Sequence, residues 1–381
     1  MKIMICAGEV SGDVHGSFLV KELRSLSPAS VFFGVGSERL SAAGVDVRFD
    51  ITQRGTVGAL EALPNLFPLF STFQKIKKML LSEQPDLVIL IDSQGINFPL
   101  AKFCKKAGLK TVYYIAPHEW LWGSPKNARL VADNVGLIVA IFQKEFDVYR
   151  RSGANVVYFG HPLLDIVKPS QAGAEFRQQV FGPLAPAAPV ISLCPGSRLH
   201  EIRTLFPVLL RAAELISASL PDAKFVVPVA SRQLESLIAA QLAARDIPIV
   251  VGRTYDALAA SALALCASGT INLEASLLNT PNIMVYKLSR LTYAIGKYLL
   301  RIDKKLKYYS MPNLLLDKMA IPELTMSDAN PARIAAEAVA LLQDPLRQRD
   351  MRSDFGELRQ KLGAPGSIRR SAEAIMAFAA N

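Results

Sequence analysis

The chain has no Asp-x-Asp pair, the usual carboxylate clamp for a metal–nucleotide complex. Its four histidines (His15, His118, His161, His200) form no short-spaced ligand pair. Both absences point to chemistry without a metal or other cofactor. There is no Gly-x-Gly-x-x-Gly fingerprint, since Gly34-Val35-Gly36-Ser37 stops short of one, and no Walker lysine follows a glycine loop. A dinucleotide-dependent dehydrogenase and a P-loop enzyme are thereby disfavoured. The four cysteines (Cys6, Cys104, Cys194, Cys266) are widely spaced, and three lie in apolar runs. They read as small core residues in a reducing compartment. No clean apolar span reaches the length that crosses a bilayer. The longest uncharged stretch, Ala257 to Leu273, is broken by Ser268, Gly269, Thr270 and Asn272. Met1 to Cys6 is too short for a signal peptide, and acidic Glu9 and Asp13 follow at once. The expectation is a soluble or peripheral protein. No repeat of solenoid period and no RNP, KH or zinc-finger pattern is present.

What is abundant is apolar material, 51% of 381 residues, with a formal charge of +10 from 43 basic and 33 acidic residues. The first figure excludes full disorder and suits two or three well-filled cores. The second favours an anionic partner: nucleic acid, an anionic lipid surface or a phosphorylated substrate.

Short apolar runs alternate with helical patterns. Strands are predicted at Lys2–Cys6, Val31–Val35, Asp86–Asp92, Thr111–Ile115, Val135–Ala140 and Asn155–Phe159. A second series covers Val190–Cys194, Lys224–Val229, Ile247–Val251, Ala262–Ala267 and Asn282–Tyr286. Continuous apolar strands between helices predict an α/β protein with doubly wound parallel sheets. Residues 1–165 read as one domain and 190–345 as another. The proline-rich segment 166–189 reads as a linker, and 346–381 as terminal helices. Two such domains would place a cleft at the carboxyl ends of their strands.

Five segments carry candidate chemistry. Ala7-Gly8-Glu9-Val10-Ser11-Gly12-Asp13-Val14-His15-Gly16 follows the first strand and reads as a glycine-rich turn before a helix. Asp92 ends an apolar strand, fitting either a helix cap or a general base. Pro195-Gly196-Ser197-Arg198 lies between a strand and an amphipathic helix. Backbone N–H groups and a guanidinium there suit a phosphate, and the same residues fit a plain turn. Ser268-Gly269-Thr270 opens another helix, with Glu274 one turn inside. That carboxylate complements the helix dipole or accepts ribose hydroxyls. Tyr308 to Leu315 holds Pro312 and Asn313, the latter both donor and acceptor.

Two surfaces complete the reading. Val57 to Phe70 (with Leu63, Leu66, Phe67 and Phe70) is apolar on too many sides for a simple surface helix, and fits a core segment or a lipid-facing patch. Tyr286 to Tyr309 is a basic amphipathic stretch with Arg290, Lys297 and Arg301, suited to an anionic membrane or to a solvated helix face.

Taken in order, several pieces resemble the lipid-A-disaccharide synthase family. They are Ala7-Gly8-Glu9-x-Ser11-Gly12-Asp13, Ile91-Asp92, Trp120-Leu121-Trp122, Gly160-His161-Pro162, Cys194-Pro195-Gly196-Ser197-Arg198-x-x-Glu201-Ile202, Ser268-Gly269-Thr270-x-x-x-Glu274 and Pro312-Asn313-Leu314-Leu315. The chain departs from the family at Gln94-Gly95-Ile96-Asn97, where Pro-Asp-Phe-Asn is common. It departs again at Ala116-Pro117-His118-Glu119, where Ser-Pro-Ser-Val is usual.

The resemblance implies a GT-B fold of two Rossmann-like domains, with a C-terminal helix returning to the first. It implies transfer of 2,3-diacylglucosamine from its UDP derivative to 2,3-diacylglucosamine 1-phosphate, with inversion and without metal, by a homodimer on the inner face of the inner membrane. Asp92 is then expected to be the base, with Glu9 and Asp13 beside it and Gly8, Ser11 and Gly12 shaping the junction. Gly196, Ser197, Arg198, Ser268, Gly269, Thr270, Glu274 and Asn313 are expected to hold the UDP-sugar. Two other readings stay open: a different UDP-sugar enzyme, such as a soluble transferase or a UDP-N-acetylglucosamine epimerase, and a non-enzymatic membrane- or RNA-binding protein.

Overall fold

The computed structural model describes residues 1–51, 66–121, 123–183, 185, 188–243, 245–287 and 307–381. The chain divides into two compact units, Met1–Ile166 with Leu362–Asn381, and Val167–Lys361.

The first unit runs β1 (Lys2–Ala7), α1 (Val10–Leu26), β2 (Val31–Val35), α2 (Glu38–Ala42), β3 (Asp46–Phe49), α3 (Leu66–Glu83), β4 (Leu87–Ile91), α4 (Gln94–Lys106), β5 (Thr111–Tyr114), α5 (Pro125–Ala132), β6 (Leu137–Ala140), α6 (Gln143–Arg151), β7 (Val156–Tyr158) and α7 (Leu163–Ile166). The second runs α8 (Gly173–Phe181), β8 (Val190–Cys194), α9 (Leu199–Ser219), β9 (Lys224–Val229), α10 (Arg232–Leu242), β10 (Ile249–Val251), α11 (Thr254–Ala260), β11 (Leu263–Ala267), α12 (Thr270–Leu277), β12 (Asn282–Tyr286), α13 (Met311–Leu316), β13 (Glu323–Thr325), α14 (Pro331–Leu342) and α15 (Pro345–Lys361). The last helix, α16 (Ser367–Ala380), belongs to the first unit.

Each unit holds one parallel sheet, of order β3-β2-β1-β4-β5-β6-β7 and β10-β9-β8-β11-β12-β13. The central strands β1, β4, β8 and β11 are buried nearly end to end, as helices on both faces require. In each sheet the winding reverses at one place, between β1 and β4 and between β8 and β11. That reversal opens a crevice beyond the strand ends, where doubly wound sheets bind ligands.

Three boundaries differ from those expected. The first helix begins at Val10, so Gly12 and Gly16 lie inside it. At Gly16 the packing is close: a Cβ would stand 2.9 Å from Ile91 Cδ1. Segment 166–189 is not a linker. Phe176 of α8 is buried with Val190, Val226, Val250, Ala257 and Ala260. Ser170 donates from its N–H and Oγ to Asp256, at 2.6 and 2.8 Å. The prolines suggested an open connection, but the apolar spacing of Phe176, Val180 and Phe181 outweighs them. Finally, α15 stays with the second unit, where Met351 and Phe355 join its core. Only the segment from Leu362 onward returns to the first.

That return is built at Gly160-His161-Pro162. The His161 N–H donates to Leu362 O at 2.8 Å, and a Cβ on Gly363 would meet Gly160 Cα at 3.0 Å. Asp165 then caps α16 by accepting from Gly366 N, Ser367 Oγ and Ile368 N.

Candidate functional site

In the first unit the loops after β1 and β4 meet at the winding reversal. Asp92 and Ser93 both adopt left-handed backbone, at φ 52° and 49°. Non-glycine residues rarely hold this conformation, and it persists where surroundings enforce it. The enforcement comes from Asn97, fully buried, whose Nδ2 donates to Cys6 O, Ile91 O and Asp92 O at 3.2, 2.9 and 2.8 Å. Tyr113 Oη also donates to Asp92 O, at 3.0 Å. The Asp92 carboxylate is half-buried and accepts from Ser11 Oγ at 3.2 Å. Gly8 is obligatory, because a side chain there would collide with Ser93 Oγ. Glu9 is the half-buried residue at the N-terminus of α1. Gly12, in the first turns of α1, packs its backbone over Ile91.

Asp13 does not belong with these residues. It is buried, and its carboxylate accepts from the N–H groups of Ser37, Arg39 and Leu40 at 2.6, 3.1 and 3.4 Å. It caps α2, and both of its oxygens are engaged there. Burial raises its pKa, and the three amides pull the other way.

Three histidines scattered in sequence come together beside this corner. His15 lies one helical turn beyond Ser11, and its ring is 6.4 Å from that of His161. Phe142 stands between His161, at 4.8 Å, and His118, at 5.6 Å. Burial pushes His15 down to about 4, against the charge of Asp92, and holds His161 well below the ordinary histidine value. The opposite holds at His118: burial alone would lower its pKa, but Glu145 and Asp92 outweigh burial and raise it. Among the described residues no three histidine, cysteine or carboxylate side chains are grouped to hold a metal ion.

In the second unit the loops after β8 and β11 flank the equivalent reversal. Gly196 has φ 103° and lies over the Glu201 side chain, which a Cβ would strike. Ser197 is half-buried. Arg198 is the N-cap residue of α9, and its Nη1 donates to Glu201 Oε1 at 2.9 Å. Across the reversal, Ser268 is half-buried, Gly269 and Thr270 are exposed, and Glu274 is half-buried on α12. Neither α9 nor α12 has a side-chain cap hydrogen bond at its N-terminus. Helix N-termini with open amides are the kind of feature that receives an anion. Asn272 repeats the device of Asn97, donating to Ala267 O at 2.7 Å while fully buried.

Asn313 lies on α13, which packs against α12, but its own amide is engaged within its turn. It is fully buried, donates to Ile321 O and Glu323 Oε1 at 2.9 and 2.8 Å, and accepts from Ile321 N at 2.9 Å. Its amide is spent on holding α13 to the chain entering β13, which gives it a structural role. Glu323, unnoticed in the sequence, anchors the same turn through Tyr309 N, Ser310 N and Ser310 Oγ.

Of the membrane-facing candidates, Phe70 on α3 is 61% exposed. Leu66 and Phe67 lie on the same helix, but their side chains are outside the described residues, as are Leu63, Trp122, Arg290, Lys297 and Arg301. Among the described residues no helix is long and apolar enough to cross a membrane.

Two Rossmann-ordered units, each with polar loops at its winding reversal, define a GT-B protein. The fold matches UDP-N-acetylglucosamine 2-epimerase from Neisseria meningitidis solved with UDP-N-acetylglucosamine, at TM-score 0.64, 13% identity and 99% coverage of each chain. It also matches the calicheamicin glycosyltransferase, at TM-score 0.60, 15% identity, 100% of this chain and 98% of that one. In sequence, the profile described as lipid-A-disaccharide synthetase matches residues 3–378. Lipid-A-disaccharide synthase of Geobacter metallireducens is 37% identical over 377 residues, covering 98% of this chain and 96% of that one. The enzyme of Syntrophus aciditrophicus is 38% identical over 373 residues, covering 97% and 96%. The chain belongs to the lipid-A-disaccharide synthase family.

Proposed function

We propose that the chain transfers 2,3-diacylglucosamine from UDP-2,3-diacylglucosamine to 2,3-diacylglucosamine 1-phosphate, forming a β-1,6 disaccharide 1-phosphate and UDP. The observation that carries this reading is Asp92, held half-buried by a left-handed backbone at the winding reversal of the first unit. A carboxylate so fixed suits a general base. It takes the proton of the acceptor's 6-hydroxyl as that oxygen bonds to the donor's anomeric carbon. The bond from that carbon to the diphosphate breaks, with inversion, and its electron pair leaves on UDP. Ser11 orients the base, Glu9 and the backbone at Gly8 and Gly12 border it.

The second unit holds UDP. The N-terminal amides of α9 and α12, at Gly196-Ser197 and Ser268-Gly269-Thr270, receive the diphosphate together with Arg198. Glu274 accepts the ribose hydroxyls. Arg198 reaches the leaving group by exchanging Glu201 for phosphate.

The acyl chains of both sugars require a lipid surface. Phe70 and its neighbours on α3, with the basic stretch carrying Arg290, Lys297 and Arg301, serve as contacts with the anionic inner face of the inner membrane. There the protein works as a peripheral cytoplasmic homodimer.

The decisive experiment compares Asp92→Asn with the unaltered protein. Turnover should fall by about a hundredfold or more while UDP binding persists. Retained turnover overturns the assignment of the base. Equal UDP release from acylated and non-acylated UDP-glucosamine overturns the assignment of the substrate.

A further inference from the structure

The loop after β5 departs from the family pattern at His118, and the structure gives that residue a dedicated partner. Helix α6 presents Glu145 and Tyr149 on one face, a turn apart. Tyr149 Oη donates to Pro117 O at 2.8 Å and fixes the loop. Glu145 is completely buried, and its Oε2 accepts from Ile141 N at 2.8 Å. Its Oε1 has no hydrogen-bond partner among the described residues, and neither has His118 Nδ1. These two sealed atoms face each other at 3.7 Å. A buried carboxylate oxygen opposite a buried ring nitrogen is costly unless a proton lies between them. Protonating His118 satisfies both.

The ring also has an open side. The His118 side chain is 28% exposed although Nδ1 is sealed, so the Nε2 edge is left for a ligand. The loop that carries the ring is tied to the Asp92 corner. Asp92 N donates to Ile115 O at 3.2 Å, three residues before His118. Gln94 of the Asp92 loop donates to Glu119 Oε1 at 3.4 Å, one residue after it. The groups around His118 are Glu145 on α6, Asp92 beyond β4, neutral His161 beyond β7, Phe142 and Trp120, with Lys144 stacked over Trp120.

We propose that His118, protonated and held by Glu145, donates from Nε2 to the phosphate of the acceptor sugar. It is a binding residue, and Glu145 is its positioning partner. The inference rests on the acceptor occupying the first unit. A sugar phosphomonoester supplies the anionic oxygens that a buried-carboxylate imidazolium recognises best. The carboxylate favours the charged ring, and the acceptor adds the second charge-assisted bond.

The test measures binding and turnover of 2,3-diacylglucosamine 1-phosphate against its dephosphorylated form, from about pH 5.5 to about pH 8.5. In the unaltered protein KM for the phosphorylated acceptor should be low in acid and rise as His118 loses its proton. His118→Gln should raise that KM about tenfold or more, flatten its pH dependence, and leave kcat and the dephosphorylated acceptor nearly unchanged. Glu145→Gln, which keeps the imidazole, should move the rise to lower pH. Thermal melts of both variants check folding. Equal losses on both acceptors, or an unmoved pH profile in Glu145→Gln, overturn the proposal. Phosphate-selective, pH-dependent acceptor binding without any sugar transfer would leave it standing and sink the transferase reading instead.

Discussion

Ser11 Oγ reaches Asp92 Oδ2 at 3.2 Å from the first turn of α1, bridging the two loops that flank the winding reversal of the first sheet. One contact thus ties the glycine-rich segment after β1 to the strained corner after β4. It explains why a serine sits where the helix begins without capping it.

Removing that hydroxyl should leave the base in place but less well aimed. Ser11→Ala is expected to lower kcat about tenfold, with UDP affinity unchanged, in an assay of UDP release. An unchanged kcat would show that Asn97 and Tyr113 orient Asp92 without help.

Arg198 differs from a lysine by its fork, which bonds Glu201 in this structure and suits a diphosphate. Arg198→Lys should therefore weaken UDP binding by about tenfold, as read by calorimetry. Affinity equal to that of the unaltered protein would reduce Arg198 to a cap residue.

Asn313 supplies the contrary case. Its buried amide pairs with Ile321 and Glu323, so Asn313→Ala orphans those partners. The loss should appear as about 2 kcal/mol or more of stability in denaturant titration. UDP affinity of the folded protein should stay within about twofold.

His15 links stability to acid. Its pKa is about 4 in the folded chain and 6.5 in a model peptide, so below 6.5 the unfolded chain takes up a proton that the folded chain refuses. Stability from this group is complete above about pH 6.5 and lost as pH falls toward 4, amounting to about 3 kcal/mol at most. His15→Leu should flatten the melting temperature over that window. An identical slope in both proteins would mean the other buried histidine, His161, governs it.

Polar replacement at Leu66, Phe67 and Phe70 together should reduce co-sedimentation with anionic vesicles while leaving the melting temperature within a few degrees. Unreduced sedimentation would assign lipid contact to another face.

The sheets were legible because their central strands are doubly buried and read as unbroken apolar runs. β3 was not, since Asp46–Phe49 alternates exposure at the sheet edge, and β13 has only three residues. The glycines of the first loop were visible, but their purpose was not. Gly8 serves close approach, as expected of a loop, whereas Gly16 serves helix packing. Polar residue type also misled where hydrogen-bond partners lie far away. Asp13 and Asn313 look like site residues until the amides they hold are seen, and Asn97 and Asn272 look incidental until they are seen gripping the strand ends. The histidine cluster had no local signature: residues 15, 118 and 161 follow β1, β5 and β7 and meet only once the sheet is assembled.

The seating of α16 on Asp165 and Gly160 has a bearing on biosynthesis. A ribosome makes the first unit's strands early, yet the helix that covers α1 emerges only after the whole second unit. The first unit can therefore be completed only once the second has been made, and until then an apolar face of its sheet layer waits uncovered. A stalled or clipped nascent chain would carry a folded second unit behind an unfinished first one, a species that chaperones and proteases can single out.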